Sequence, residues 1–584
     1  MKKKNLLCAI LMAVPFTFLQ AQFVDFEPWQ TFDGNYGAGI QVEDYDGDGW
    51  EDILILNGST SGFLSNTLYR NTGSGFEDVS TTILPAHSGR YNAGAFADFN
   101  GDGHKDLYLA AWNLNTLMNT ENLLLAGDGD GGFTEVDAGP PSIEQHSTAG
   151  CSWADINGDG WVDIFLANLS TSFGSAPNAL YTNQGNGTFQ ANPGNILVTD
   201  ISLFTFSGNW ADVDGDRDPD LYAANAFATD QLYYNDGAGN FTPNTDEVLF
   251  NQNMDITYRA AWADYDNDGD LDFFAPSDHQ NHLYENDGQG HFSQKAGSWE
   301  EEDDDTAAAA WADFDNDGDL DLLLTSFYNN HNTLFRNDGG TLNREESAMI
   351  PILDGFSGIA DFNNDGFQDV AVANGGFPDT EPHTAVFLNQ GNNNHWVQFT
   401  LKGNAPNTMA IGAVVRVKAT INGQETWQMR QVASSSHESG SSRLHFGLGD
   451  AADIDEIIIE WPDGVVEACE GFMVDEIHNI EQENNQMCRI VGLDDKNRLP
   501  GKLTLTPNPA RESTLLQLET EEPLTRCTIS LLHLTGQAAW SEKQLLNGAT
   551  LNREINLQSL PAGLYYVQIE AEGRRIIRNL VITP

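Results

Sequence analysis

Asp44-Tyr45-Asp46-Gly47-Asp48-Gly49-Trp50-Glu51-Asp52 is the stretch on which the fold of this chain turns. It sets a carboxylate at positions 1, 3, 5 and 9 of a nine-residue run, with Gly at positions 4 and 6. It leads straight into the apolar run Ile53-Leu54-Ile55-Leu56. Equivalent runs start at Asp98, Asp155, Asp212, Asp264, Asp313 and Asp361, at steps of 54, 57, 57, 52, 49 and 48 residues. Self-similarity at that period marks a propeller or a solenoid.

Alternate side chains of a tight turn aim at one centre. Hard oxygens gathered there suit Ca2+, which takes six to eight of them at about 2.3–2.6 Å. The expected metal ligands are Asp44, Asp46, Asp48 and Asp52; Asp98, Asn100, Asp102 and Asp106; Asp155, Asn157, Asp159 and Asp163; Asp212, Asp214, Asp216 and Asp220; Asp264, Asp266, Asp268 and Asp272; Asp313, Asp315, Asp317 and Asp321; and Asp361, Asn363, Asp365 and Asp369. Position 7 can add its backbone carbonyl. An EF-hand would need a bidentate acid at position 12 and flanking helices, but position 12 of the first loop is Ile55. Up to seven structural Ca2+ ions are therefore expected, in β-hairpin loops. The fourth loop, with Arg217 at position 6 and Pro219 at position 8, is the copy expected to be distorted.

Around each loop the chain reads as four short strands. In the third repeat these are Gly150–Ala154, Ile164–Asn168, Asn178–Asn183 and Thr188–Gln190. A Leu-Tyr-x-Asn third strand recurs at Leu68–Asn71, Leu232–Asn235 and Leu283–Asn286. Four antiparallel strands in about 50 residues make one propeller blade. The expected fold is all-β: a seven-bladed β-propeller over 22–394, a small β-domain over 395–480, a linker over 481–500 and a C-terminal Ig-like β-sandwich over 501–584. Phe23–Glu27 is expected to supply the missing fourth strand of the last blade.

The 584 residues carry a formal net charge of −59, which repels nucleic acid and anionic membranes. The N-terminus has a basic start (Lys2-Lys3-Lys4), an apolar stretch to Leu19 and Gln20-Ala21-Gln22. This is the pattern of a secretory signal peptide over 1–21, cleaved after Ala21. No other stretch is long and apolar enough to span a membrane. Cys151 is expected to be buried, Cys469 and Cys488 could pair, and Cys527 is left over.

The Asp-x-Asp-x-Asp-Gly-x-x-Asp loops and the Leu-Tyr-x-Asn strands resemble the FG-GAP/VCBS repeats of integrin α-subunit propellers and their bacterial relatives. That resemblance implies structural Ca2+ at positions 1, 3, 5 and 9. Ile411–Val417, His445-Phe446-Gly447-Leu448-Gly449 and Trp461-Pro462-Asp463-Gly464 are similar to the ASPIC/UnbV domain. The order of the two matches that of the cartilage acidic protein family. Pro507–Ala510, Leu534–Gln537, Leu560–Tyr566 and Leu580–Ile582 resemble the C-terminal sorting domain of the type IX secretion system. This implies that machinery as a partner and a secreted or outer-membrane-surface location.

Each calcium loop joins a blade's first strand to its second, so the remaining connections emerge on the opposite face. These hold Trp112, Phe173, Phe227, His279, Phe327, Tyr328, His331, Phe377 and the acidic run Glu300–Asp305. A glycan or protein ligand is expected on that face. The function expected is binding or adhesion without catalysis. The alternative is an enzyme, or an accessory of one, acting on extracellular polysaccharide. Ser434-Ser435-Ser436-His437 lacks the strand–elbow–helix context of a hydrolase triad.

Overall fold

The computed structural model describes residues 26–493 and 501–582, except 34–36, 58–65, 86–90, 113–120, 144–146, 170–176, 200–203, 227, 246–255, 302–305, 327–331, 346–354, 375–382, 435–439, 486, 507–510, 512, 533–537, 559, 561–562 and 572–573. The expected signal peptide lies outside these residues.

Among the described residues, seven four-stranded antiparallel sheets follow one another from residue 26 to residue 389. Each is one propeller blade. The second strand runs from position 9 of its loop and is buried on both faces in Asp52–Asn57, Asp106–Ala111, Asp163–Asn168, Asp220–Asn225 and Asp321–Ser326. Neighbouring blades sandwich it, which is why it is apolar throughout instead of alternating. The short fourth strands, such as Phe76–Asp78 and Phe133–Glu135, are mostly exposed. First strands of successive blades pack against one another around the ring, including Gly37–Glu43 against Gly355–Ala360. The fourth and fifth blades share an apolar cluster containing Tyr222, Phe273 and Tyr284.

Phe26–Asp33 is the outer strand of the last blade, paired antiparallel with His383–Asn389. N-terminal closure was expected from Phe23–Glu27; residues 23–25 lie outside the described set and the strand runs on to Asp33. Pro28, which has no N–H to give, sits at its register shift. Phe26 packs edge-on against Phe314, 5.7 Å between ring centres, and so ties the chain start to the sixth blade.

The second domain has a three-stranded sheet (Leu444–Gly449, His395–Lys402, Ile477–Glu481) and a five-stranded one (Gln424–Gln431, Val414–Ile421, Ile454–Glu460, Val465–Cys469, Cys488–Leu493) around one core. The linker expected over 481–500 is thus incorrect in part: Cys488–Leu493 is the fifth strand of that sheet. Cys469 and Cys488 face each other across neighbouring strands in a disulfide, S–S 2.06 Å. Cys151 and Cys527 are buried, and neither is in a disulfide among the described residues. The C-terminal part is one bonded sheet whose long strands Ser513–Leu532 and Ala538–Asn556 form its hairpin. Its first strand, Gly501–Thr506, packs near its last, Arg574–Ile582, over a core that includes Ile529 and Ile569.

The second domain sits on the loop face of the propeller. Ser434 and Gly440, in the connection after Gln424–Gln431, meet the inner strands of the propeller. There the Ser434 carbonyl accepts the Trp153 N–H at 3.0 Å, Ser434 Oγ donates to the Phe96 carbonyl, and Gly440 bridges to Ile359. Inner-strand backbone groups that would otherwise face an empty channel are thereby paired.

Candidate metal centres and channel mouth

Each nine-residue loop is wound by its own backbone donors. Asp44 accepts the N–H of Asp48 on Oδ1 and that of Gly49 on Oδ2, both at 3.0 Å. Asp98, Asp155, Asp313 and Asp361 repeat the pair. Position 9 is held differently. Asp52 Oδ2 accepts the N–H of position 2, and Oδ1 accepts that of Asn71, the last residue of the third strand. The position-9 carboxylates also receive the third-strand N–H of Asn183, Asn235, Asn286, Asn337 and Asn389.

That Asn is the inter-blade tie. Its Nδ2 donates to the position-2 carbonyl of the preceding loop: Asn71 to Phe362, Asn183 to Phe99, Asn235 to Ile156, Asn286 to Val213, Asn337 to Tyr265 and Asn389 to Phe314, all between 2.6 and 2.9 Å. Asn71 thereby reaches from the first blade to the seventh. The second blade has Gly127 here, where a Cβ would lie 2.3 Å from the Lys105 carbonyl. The Leu-Tyr-x-Asn signal was visible in the sequence; what its Asn does was not.

Carboxylate oxygens of Asp44, Asp46 and Asp48, of Asp212, Asp214 and Asp220, of Asp264, Asp266 and Asp268, and of Asp313, Asp315 and Asp321 come within 4.8 Å of one another in each group. In the loops of Asp98, Asp155 and Asp361 an Asn replaces one acid, and its Nδ2 donates to Asp102, Asp163 and Asp365 respectively. Burial, reinforced by neighbouring carboxylates, pushes Asp52 and Asp272 up to about 9, Asp106, Asp163 and Asp220 to about 8, and Asp264 to about 7. Such clusters need protons or a cation to persist. In the fifth and sixth loops Asp264 Oδ2, Asp266 Oδ1, Asp272 Oδ2 and Asp315 Oδ1 are buried without a hydrogen-bond partner. Acceptor-only oxygens left over inside a carboxylate cage fit a hard divalent cation.

At position 6 of the fourth loop the expected distortion is absent. Arg217 takes φ 70°, the left-handed backbone that Gly takes at position 6 elsewhere, and its N–H reaches Asp212 Oδ2 at 3.0 Å. A side chain there costs about 1–2 kcal/mol. Its guanidinium is 2.8 Å from Glu460 of the second domain, which also pairs with Arg416 at 3.0 Å. These residues wall a cleft of about 910 Å³ between the third to fifth loops and the second domain.

On the opposite face, half-buried Trp112, Phe206 and Tyr258 form a row at the channel mouth. Ring centres are 6.3 Å apart for Trp112–Phe206 and 5.3 Å for Phe206–Tyr258. Buried Arg259 stacks 4.8 Å from the Phe356 ring. Phe206 and Tyr258 fall six residues before their loops, where the other blades carry Ala38, Asn92, Ala149, Ala307 and Gly355. Aligning the repeats on the first Asp of each loop exposes them. His279 is 3.0 Å from Asp278. Phe173, Phe227, Phe327, Tyr328, His331, Phe377 and residues 302–305 lie outside the described residues, as do 435–439.

The FG-GAP-like repeat model matches residues 44–109, 155–223, 212–275, 264–324 and 313–372. Each stretch begins at the first Asp of a loop and runs through the next loop. The ASPIC and UnbV model matches 403–487, and the secretion system C-terminal sorting domain model matches 504–583. No curated protein matches. Solved structures similar to the chain include an Agrocybe aegerita lectin that recognises non-reducing terminal N-acetylglucosamine (17% identity, 59% of this chain, 93% of that one, TM-score 0.40). Another is the Burkholderia pseudomallei lectin BP39L (11%, 62% and 98%, TM-score 0.43). A third is the V. cholerae biofilm matrix protein Bap1 (11%, 96% and 92%, TM-score 0.27). Similarity at this level is no warrant for a shared ligand. Among the described residues no helix is long and apolar enough to cross a membrane, and the sorting domain marks the chain for export to the medium or the outer-membrane surface. The chain is therefore built from FG-GAP-like repeats forming a propeller, followed by an ASPIC and UnbV domain and a type IX secretion system C-terminal sorting domain.

Proposed function

We propose that the chain is an extracellular binding module, calcium-stabilised, that holds a glycan at the channel mouth facing away from its loops. Residues 1–21 act as its signal peptide. One observation carries the reading: the row Trp112–Phe206–Tyr258 links the second, fourth and fifth blades at the strand ends remote from the loops, while the second domain contacts the loops. Aromatic faces at such spacing suit the apolar faces of sugar rings. A glycan array in calcium buffer, with the wild-type chain and a Phe206→Ala/Tyr258→Ala variant, tests it. At least tenfold weaker binding with an unchanged melting temperature is expected. Equal binding by both chains would sink the glycan site.

Binding without turnover is the preferred reading because the acids are committed to repeated turns, where a catalytic pair would break the repeat. Release of new reducing ends from extracellular polysaccharide by the purified chain would overturn it.

A further inference from the structure

The second domain touches the propeller at the groups on which a loop-bound cation depends. Gln398 Nε2 donates to Asp361 Oδ2 at 2.8 Å, and Thr408 Oγ1 donates to Asp98 Oδ2. Both acceptors are position-1 carboxylates. Gly447 lies flat on the sixth loop: a Cβ there would be 2.0 Å from Asp313 Oδ2 and 2.5 Å from the Asn316 Cα. Beside it the Gly449 N–H donates to the Asn316 carbonyl at 2.7 Å. A second set of contacts reaches the position-6 carbonyls. Arg443 Nη2 donates to Gly49 and Arg416 Nη1 to Gly269, both at 3.0 Å, and His445 Nε2 lies 3.1 Å from the Gly366 carbonyl. Five of the seven loops are gripped in this way; the third and fourth line the cleft with part of the fifth, and the fourth meets the second domain through Arg217 and Glu460.

We propose that the loop face is a metal-dependent clasp for the second domain, in which Ca2+ in the sixth and seventh loops holds His445-Phe446-Gly447-Leu448-Gly449 in place. The proposal rests on calcium occupancy of the loops. A tightly wound loop presents the acceptor that Gln398 needs and the flat surface that Gly447 needs. Without a cation, like charges crowded into one turn push the carboxylates apart, and the same donors lose their acceptors. Linkage then runs both ways: docking strengthens calcium binding in the gripped loops.

Hydrogen exchange of the full chain in Ca2+ and after chelation, with metal content measured on the same samples, tests the clasp. Bound calcium is expected, and its removal should speed exchange across residues 444–449 at least tenfold. Calcium loss with protection of 444–449 retained overturns the clasp and leaves the metal sites standing. A chain that takes up no calcium overturns both. Asp365→Ala in the seventh loop should speed exchange at 444–449, whereas Asp159→Ala in the third should cost bound calcium without doing so. An equal response to the two overturns the clasp. Gln398→Leu, which removes one hydrogen bond at similar volume, should speed the same amides at least threefold; no change counts against it.

Discussion

The first four loops and the last three build the same turn with different residues at position 4. Gly47, Gly101, Gly158 and Gly215 take φ of 68–76°, and Asn267, Asn316 and Asn364 take 54–60°. The backbone is nearly the same, but only the Asn side chains reach onward. Asn267 Nδ2 donates to the Gly318 carbonyl, Asn316 to Gly366 and Asn364 to Gly49. Each link runs from position 4 of one loop to position 6 of the next, and the last crosses the ring closure. The stitched arc is the one on which His445–Gly449 docks. The glycine arc includes the third and fourth loops, which line most of the propeller side of the cleft. A turn requirement that Gly and Asn both satisfy thus leaves room for one arc to be stiffened as a platform.

The comparison can be broken at several strengths. Asn337→Ala removes the inter-blade tie and leaves the Tyr265 and Leu320 carbonyls buried and unpaired. It should destabilise by about 3 kcal/mol, seen as a lower midpoint in denaturant. A titration remote from both arcs separates a loop effect from a second-domain effect. Burial raises Glu467 from 4.5 to about 7, though it accepts the Trp461 indole N–H. Its folded pKa is raised, so native Glu467 keeps a proton that the unfolded chain releases above pH 4.5. The carboxyl therefore costs no stability below that pH, and the cost grows as pH rises to about 7. Glu467→Gln should gain on the order of 2 kcal/mol at pH 8 and nothing at pH 4. Equal gains at both pH values would refute this.

Asn316→Gly keeps the turn and removes the stitch to Gly366. It should cost about 1 kcal/mol in a thermal melt, and exchange should quicken in the seventh loop first. The reverse swap, Gly158→Asn, places a Cβ whose nearest neighbour is the Gly237 carbonyl at 3.6 Å. It should change stability by less than about 0.5 kcal/mol. A large loss there would mean the two arcs differ in more than position 4.

The repeat, the four-strand blade, the closing N-terminal strand and the acid positions were legible because each is local: a period, a turn or an apolar run. The docking of the second domain was not, since Gln398 meets Asp361 and Arg443 meets Gly49 through pairings that no period encodes. Arg217 was read as a defect because its partner Glu460 lies in another domain. Phe206 and Tyr258 stand out only when blades are compared position by position. Cys488–Leu493 was lost in a polar stretch, although its pairing with Val465–Cys469 makes it a strand.

The central claim is that these loops are cation sites on which the fold relies. Metal counting on the full chain after dialysis against Ca2+, followed by melting with and without chelator, tests it most directly. The account predicts several bound calcium ions per chain and a melting temperature at least about 10 °C lower after chelation, as ligand linkage requires. A chain that binds no calcium and melts at the same temperature in both buffers would contradict it.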